Sequence, residues 1–335
     1  MTITDAPAST RPAHRRAVTR TLLVWLLVAP AAAWFVVRGF GLERGRLIQL
    51  IAFTPYVALW SLIPALIALI ARRWAAAAVA VLTAFGLAMG VLPRTIPDLD
   101  AGPGTGVALS VMTSNMLFGG ADPASIVRLV RENDVAVLAL QEFTDEGREG
   151  LRAAGLDELL PYHSFAAEAG ASGSGLYSRY PVSDPGSRRN NGGWRFLQAY
   201  ATVQAPGAAP VLVESAHPLA PALPDTFAGW RSDLEEEPRA DKDGVARILL
   251  GDFNATLDHG PLRDLIKSGY RDAAATVGKG LIGTWGPYDG DLIPPVTIDH
   301  VLADERIGVS DVEVHDVTGS DHRALIAALT IPAAK

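Results

Sequence analysis

The hydrophobic pattern of the chain changes near residue 95. Before that point three apolar runs follow one another: Thr21–Val37 between Arg20 and Arg38, Leu47–Ala71 closed by Arg72 and Arg73, and Trp74–Leu92. Each is close to or above the ~20 residues that a helix needs to cross ~30 Å of hydrocarbon. Pro30, Pro55 and Pro64 lie within the first two, where membrane helices tolerate proline better than soluble ones. No run shows the polar stripe of an amphipathic helix, which argues against a buried hairpin in a soluble protein. A cleaved signal peptide would account for the first run alone. The pattern predicts a tail over 1–19 and an anchor of three transmembrane helices over 20–93.

Beyond the anchor, Pro93–Gly106 is rich in Pro, Gly and Asp and reads as an exposed linker, with the domain boundary drawn at 94–106. Short strand-like runs then follow at Val107–Thr113, Val135–Leu140, Gly175–Ser178, Ala199–Val203, Val211–Ser215, Arg247–Leu250, Thr297–Leu302, Val309–Val314 and Ala324–Leu329. Asp122-Pro123 has the form of an N-cap followed by proline at the first helical position, opening a helix through about Glu132. Further helices are expected near Asp145–Ala154, Asp225–Glu236 and Gly260–Lys267. Many short strands with few helices predict an α/β fold over 107–335: a four-layer α/β sandwich of two packed mixed sheets flanked by helices.

Charge divides the chain at the same place. Residues 1–99 hold ten arginines and three acids, a net of +7, and the remaining 19 basic and 33 acidic residues give −14. An acidic domain repels polyanions at long range, although bound divalent cations reverse that sign locally. The absence of cysteine excludes disulfides, thiolate catalysis and thiolate-held metals. With the N-terminus inside, the cytoplasmic side would hold Arg11, Arg15, Arg16, Arg20, Arg72 and Arg73 against Arg38, Arg44, Arg46 and Arg94 outside. That bias puts the C-terminal domain outside a cell membrane crossed several times.

Polar residues with chemical potential stand where the strand runs end. Asn115 follows Val107–Thr113, Glu142 follows Val135–Leu140 within LQEF, and His217 follows Val211–Ser215 within ESAHP. Asp252 and Asn254 lie in LLGDFNAT, Asp299 and His300 in VTIDHVL, and Asp321 and His322 in GSDHRAL. Strand ends are where a rigid scaffold presents side chains to a shared cleft. Carboxylate and amide oxygens suit Mg²⁺ or Mn²⁺, and imidazoles beside carboxylates suit acid–base work or phosphoryl binding. No serine or cysteine nucleophile motif and no glycine-rich phosphate loop competes. Taken singly, each element reads more readily as a turn or cap.

The ordered set N…QE…H…GDFN…DH…SDH resembles the endonuclease/exonuclease/phosphatase superfamily, over about Val107–Thr330. This resemblance implies a metal-dependent phosphoester hydrolase using Mg²⁺ or Mn²⁺. It places Asn115, Glu142, Asp252 and Asp321 around the metal, with Glu142 as principal ligand. It makes His217, Asp252, Asn254, Asp299 and His322 catalytic: Asp252 and Asn254 orient water and contact the phosphate, and His322 binds or protonates it, oriented by Asp299. His217 would be a further phosphate ligand or acid, although Glu214-Ser215-Ala216 precede it where the family commonly has Asn-Thr. His300 is expected to point to the opposite strand face, and His259 to be a turn residue.

The expected partners are the lipid bilayer and a phosphoester: a lipid headgroup, a small phosphodiester or a nucleic acid. No obligate protein partner is evident. The rival readings are an anchored extracellular endonuclease and a catalytically silent binding module. A transporter or sensor is disfavoured because Thr21–Val37 and Leu47–Ala71 contain no Asp, Glu, Lys, Arg or His.

Overall fold

Small residues and large ones separate in the N-terminal helices. The computed structural model describes residues 11–102, 104–287 and 292–334, so the first ten residues of the expected tail lie outside the described residues. The chain forms two units: one takes in residues up to Leu42 together with Phe53–Val91, the other Glu43–Ala52 together with Leu92–Lys335. The early helices are α1 (Arg11–Phe40), α2 (Leu47–Ile51), α3 (Thr54–Trp60), α4 (Leu62–Ile70) and α5 (Trp74–Val91). In the first unit Val24, Val28, Ala65, Ala68, Ala76, Ala77 and Ala80 pack together. Leu26, Leu59, Ile70, Leu82 and Phe85 instead face outward, each at least 64% exposed. Such an inversion suits helices packed in lipid, where small side chains let backbones approach and no water penalises an apolar exterior.

Among the described residues two helices, Val18–Phe40 and Trp74–Thr95, are long and apolar enough to cross a membrane, rather than the three expected. The middle run is broken. Its first part, α2, folds with the second unit and buries Ile48 there. Pro55 then sits in the first turn of α3, leaving Thr54–Ile70 as a shorter apolar stretch. Hydropathy counts apolar residues without saying what covers them, and here the cover of Ile48 is protein. Nor is the stretch over 94–106 simply exposed. Arg94 is buried and forms a two-point ion pair with Asp258, at 2.8 and 2.6 Å, and the Asp98 N–H donates to Thr276 O at 2.8 Å.

Among its described residues the second unit contains twelve strands: β1 (Val107–Asn115), β2 (Val137–Gln141), β3 (Tyr162–Ala166), β4 (Ser174–Ser178), β5 (Val182–Arg189), β6 (Leu197–Val203), β7 (Val211–Ala216), β8 (Ala246–Asp252), β9 (Tyr270–Asp272), β10 (Asp299–Asp304), β11 (Gly308–Asp316) and β12 (Arg323–Ile331). They make two six-stranded mixed sheets, ordered β11-β12-β1-β2-β4-β3 and β5-β6-β7-β8-β10-β9. The helices are α6 (Pro123–Glu132), α7 (Asp145–Ala153), α8 (Leu156–Leu159), α9 (Phe227–Glu235), α10 (Gly260–Ile266) and α11 (Ala273–Thr276). The Asp122 carboxylate caps α6 by accepting from the N–H groups of Ala124 and Ser125.

Strand alternation builds the layers. Val111, Val137, Ala139, Val213, Ile248, Leu250 and Val301 point between the sheets and form one core. Met112, Leu138 and Leu140 point outward and meet Ile126, Leu129 and Leu151 of α6 and α7. Leu249 and Leu302 meet Trp230, Leu234, Leu262 and Ile48 on the other outer face. This is the α/β sandwich expected. The strands without a clear sequence signal, β3, β5 and β9, lie at sheet edges, where one flank is unpaired and the apolar demand is lower.

One glycine is set by close approach. A Cβ at Gly251, which pairs with Ala216 in the parallel β7–β8 ladder, would lie 1.9 Å from the Ala216 carbonyl oxygen. Gly251→Ala must therefore push β7 from β8, and thermal denaturation is expected to show a loss of about 1–3 kcal/mol. Unchanged stability would show that the ladder accommodates a methyl there.

Candidate active site

The period of two that builds the core also aims the polar residues. Asn115 continues the inward face of Val111 and Thr113, and Asp252 that of Ile248 and Leu250. His217 continues Val211 and Val213, and Asp299 stands on the Val301 face. Register brings the ends together, with Asn115 opposite Gln141 across β1–β2 and Asp299 opposite Asp252 across β8–β10. His300 takes the other face, where Nδ1 meets Asp272 Oδ2 at 2.7 Å and Nε2 meets Ala255 O at 2.9 Å. Glu214 also points away from the cleft and pairs with Arg188 and Arg247. The charge before His217 is thus neutralised on the outer face.

Two carboxylates from different sheets converge on one amide. Asn115 Nδ2 donates to Glu142 Oε1 at 3.2 Å and to Asp252 Oδ2 at 3.1 Å, and Asn115 Oδ1 accepts the Leu117 N–H at 2.9 Å. The Leu117 bond fixes which end of the amide faces the acids. Glu142 Oε2 accepts the Phe118 N–H at 2.7 Å. Burial raises the pKa of Glu142, and hydrogen bonds from Phe118 and Asn115 only partly oppose it. Burial likewise raises Asp252, with His322 opposing and Asp299 adding. The Asp252 charge adds to the raising of Glu142, and two hard oxygen donors sharing one amide N–H₂ suit a divalent cation.

Asp252 also stands between two imidazoles. Its Oδ2 lies 3.7 Å from His217 Nε2 and 3.6 Å from His322 Nε2. His322 Nδ1 donates to Asp299 Oδ2 at 2.9 Å, and Asp299 N–H is held by Thr284 Oγ1 at 3.0 Å. Burial would lower the pKa of His322, but Asp299 and Asp252 outweigh it and raise it to about 10. Burial prevails at His217, which is pushed down to about 4, and its Nδ1 has no hydrogen-bond partner among the described residues. One histidine is therefore a cation at neutral pH and the other neutral. Asp252, Asp299 and His322 bring ligand-type atoms within 4.8 Å of one another. That group could hold a metal ion, and the Glu142 and Asp252 carboxylates that share Asn115 Nδ2 are a second set of hard oxygen donors beside it.

Asn254 and Asp321 sit differently. The Asn254 N–H donates to Asp252 Oδ1 at 2.8 Å, and its Nδ2 donates to Pro218 O at 3.1 Å, tying the GDFN turn to the residue after His217. Asp321 Oδ2 accepts from Trp285 Nε1 at 3.0 Å and lies outside the three-residue cluster. Other supports of the site carry no signal in the sequence. Ser320 Oγ donates to Asn115 O at 2.8 Å and accepts the His322 N–H, joining the SDH loop to β1. Gln141 Nε2 donates to Ser215 Oγ at 3.0 Å, a buried bridge between the sheets. Thr284 and Trp285 have no motif around them, and only long-range contacts reveal them.

Raised and lowered pKa values have opposite consequences. A raised His322 stabilises the fold fully below its ordinary ~6.5, and this contribution is lost as pH rises through about 10. NMR titration of the chelator-treated protein should show His322 protonated past pH 8 and His217 neutral down to about pH 5. Asp299→Asn should return His322 toward the ordinary range. A His322 midpoint near 6.5 in the unaltered protein would contradict the paired geometry.

Residues 112–322 match the model of the Endonuclease/Exonuclease/phosphatase family. Solved structures of similar fold include an endonuclease/exonuclease/phosphatase from Beutenbergia cavernae DSM 12333, at 19% identity and TM-score 0.53, covering 67% of this chain and 72% of that one. A family protein from Leptotrichia buccalis C-1013-b is 14% identical, with TM-score 0.53 and coverage of 67% and 100%. Truncated Caenorhabditis elegans TDP2 is 15% identical, with TM-score 0.53 and coverage of 67% and 97%. No curated protein matches the sequence. Members of the family are typically metal-dependent hydrolases of phosphoesters, among them phosphodiesterases, phosphatases and nucleases. On the match over residues 112–322, this chain belongs to the endonuclease/exonuclease/phosphatase family.

Proposed function

We propose that the protein is a Mg²⁺- or Mn²⁺-dependent phosphodiesterase tethered to a membrane. The observation that carries this reading is the convergence of Glu142 and Asp252 on Asn115, beside an imidazolium held by Asp299. A divalent cation on Glu142 and Asp252 would supply charge neutralisation for the phosphoryl oxygens and the departing alkoxide. His322 presents a proton at Nε2, the nitrogen not used by Asp299, to a phosphoryl oxygen or leaving group. Asp299 keeps that proton in place, and Asp321 adds to it electrostatically. His217, being neutral, suits a hydrogen-bonded contact to substrate rather than proton donation. Asp252 and Asn254 orient the attacking water.

A domain of net −14 lacks the long basic contacts that supply most non-specific nucleic-acid affinity. Tethering raises its effective concentration toward headgroups in the same bilayer. Both favour a small or membrane-borne phosphodiester over duplex DNA. The outward-facing leucines of the first unit support the anchor, and the arginine bias favours a catalytic domain outside the cell.

In full-length protein in detergent, Glu142→Gln should lower turnover by roughly 10²–10³-fold or more with little change in thermal stability. Full activity in excess chelator would falsify the metal requirement. Plasmid DNA cleaved far faster than sphingomyelin or a small phosphodiester would make the protein an anchored nuclease. A reporter fused after Lys335 should be active only if it folds outside, and cytoplasmic reporter activity there would reverse the orientation.

A further inference from the structure

The segment that follows α1 is folded into the second unit. Glu43 is fully buried, and its Oε1 accepts the Gly260 N–H at 3.0 Å, at the start of α10. Arg231 of α9 donates to the Glu43 backbone oxygen at 2.9 Å. Ile48 is buried in the cluster of Trp230, Leu234, Phe253, Ala255 and Leu262, and its carbonyl lies 2.8 Å from His259 Nε2. Gln49 Nε2 donates to Pro221 O at 2.9 Å and to Ala222 O at 3.1 Å.

These contacts fall on the two loops that present the candidate site. Pro221 and Ala222 are four and five residues beyond His217, and His259 closes the turn that begins at Asp252. Trp230, packed against Ile48, donates its indole N–H to Asn254 O at 2.9 Å, and its ring meets His259 edge-on at 5.2 Å. Asn254 is held at φ +49°, a left-handed conformation that a non-glycine residue keeps only when its surroundings over-determine it.

We infer that Glu43–Ile51 is a built-in positioning element of the active site: it holds the His217 and Asp252–Asn254 loops in place through Gln49, His259 and Trp230. It touches none of the reacting groups itself. It acts by limiting the freedom of residues whose misplacement by about 1 Å can cost as much as 10²-fold in rate. It follows that a chain lacking residues 43–51 keeps the whole family motif set but not its geometry. This rests on the site assignment above, so the test includes a readout independent of activity.

Because the chain has no cysteine, Gln49→Cys with Ala222→Cys creates a single addressable pair in the full-length protein. A short bismaleimide should link the two intramolecularly in high yield, and absence of the link would overturn the docking whatever the enzyme does. Gln49→Ala should lower kcat about 10-fold or more while KM and Tm change little, and Trp230→Phe, which shrinks a fully buried ring and so also lowers Tm, should lose as much kcat when assayed well below its own Tm. Glu43→Ala should behave alike, with Glu43→Gln restoring much of the loss because the amide oxygen can still accept the Gly260 N–H. Wild-type kcat in all of Gln49→Ala, Trp230→Phe and Glu43→Ala would overturn the positioning role, as would losses that only track Tm. Should the wild type cleave no phosphoester, the site assignment fails. Amide hydrogen exchange then decides the inference: residues 217–222 and 252–259 should exchange faster in Gln49→Ala, and unchanged protection would overturn it.

Discussion

The site depends on a single side-chain amide. Asn115 comes from one sheet, Asp252 from the other, and Glu142 from the residue after β2, yet both acids share one Nδ2. An amide can serve two carboxylates in this way only if its oxygen is kept out, which the Leu117 N–H does. The separation of the sheets at this end is thereby coupled to the separation of the acids. Deeper in the sandwich, the Gln141–Ser215 hydrogen bond repeats the link between sheets where the apolar core closes. A shift of either sheet would disturb the oxygen donors before it disturbed the core.

Local conformation is constrained to the same end. Leu117, Phe118, Glu142 and Asn254 all have positive φ, between 45° and 55°. Each such non-glycine residue costs on the order of 1–2 kcal/mol. They stand where strands must stop and turn their side chains toward a common point. In the case of Phe118 the gain is visible, since its N–H reaches Glu142 Oε2. The two imidazoles show the electrostatic counterpart. Both lie near Asp252 Oδ2, but His322 has a second carboxylate and His217 has none, so burial decides one and charge the other.

Much of this was legible in the chain because strand alternation and polar strand ends are local signals. The inward face of Val111 and Thr113 leads to Asn115, and that of Ile248 and Leu250 to Asp252, without any knowledge of the partner strand. The cap at Asp122-Pro123 was equally local. What could not be read is which outer surface covers what. Ile48 lies in an apolar run that satisfies a membrane pattern, yet its neighbours are Trp230 and Leu262, far along the chain. Arg94 sits in a Pro- and Gly-rich stretch but finds Asp258. Trp285 and Thr284 act through pairings with no periodicity of their own. Edge strands such as β5, with Pro185 and Gly186 and a bulge, carry little alternation to detect.

The pairing of β12 with β1 has a consequence for biosynthesis. β1 is the first strand of the sandwich to be made and β12 the last, yet they are neighbours, from Val107 opposite Ile331 to Thr113 opposite Leu325. Until β12 emerges, the β1 edge is open and His322, one residue before β12, has no sheet to hold it against Asp299. The His322–Asp299 contact of the candidate site therefore has to wait for that pairing. The nascent chain must also keep an unpaired edge from meeting other chains during that time.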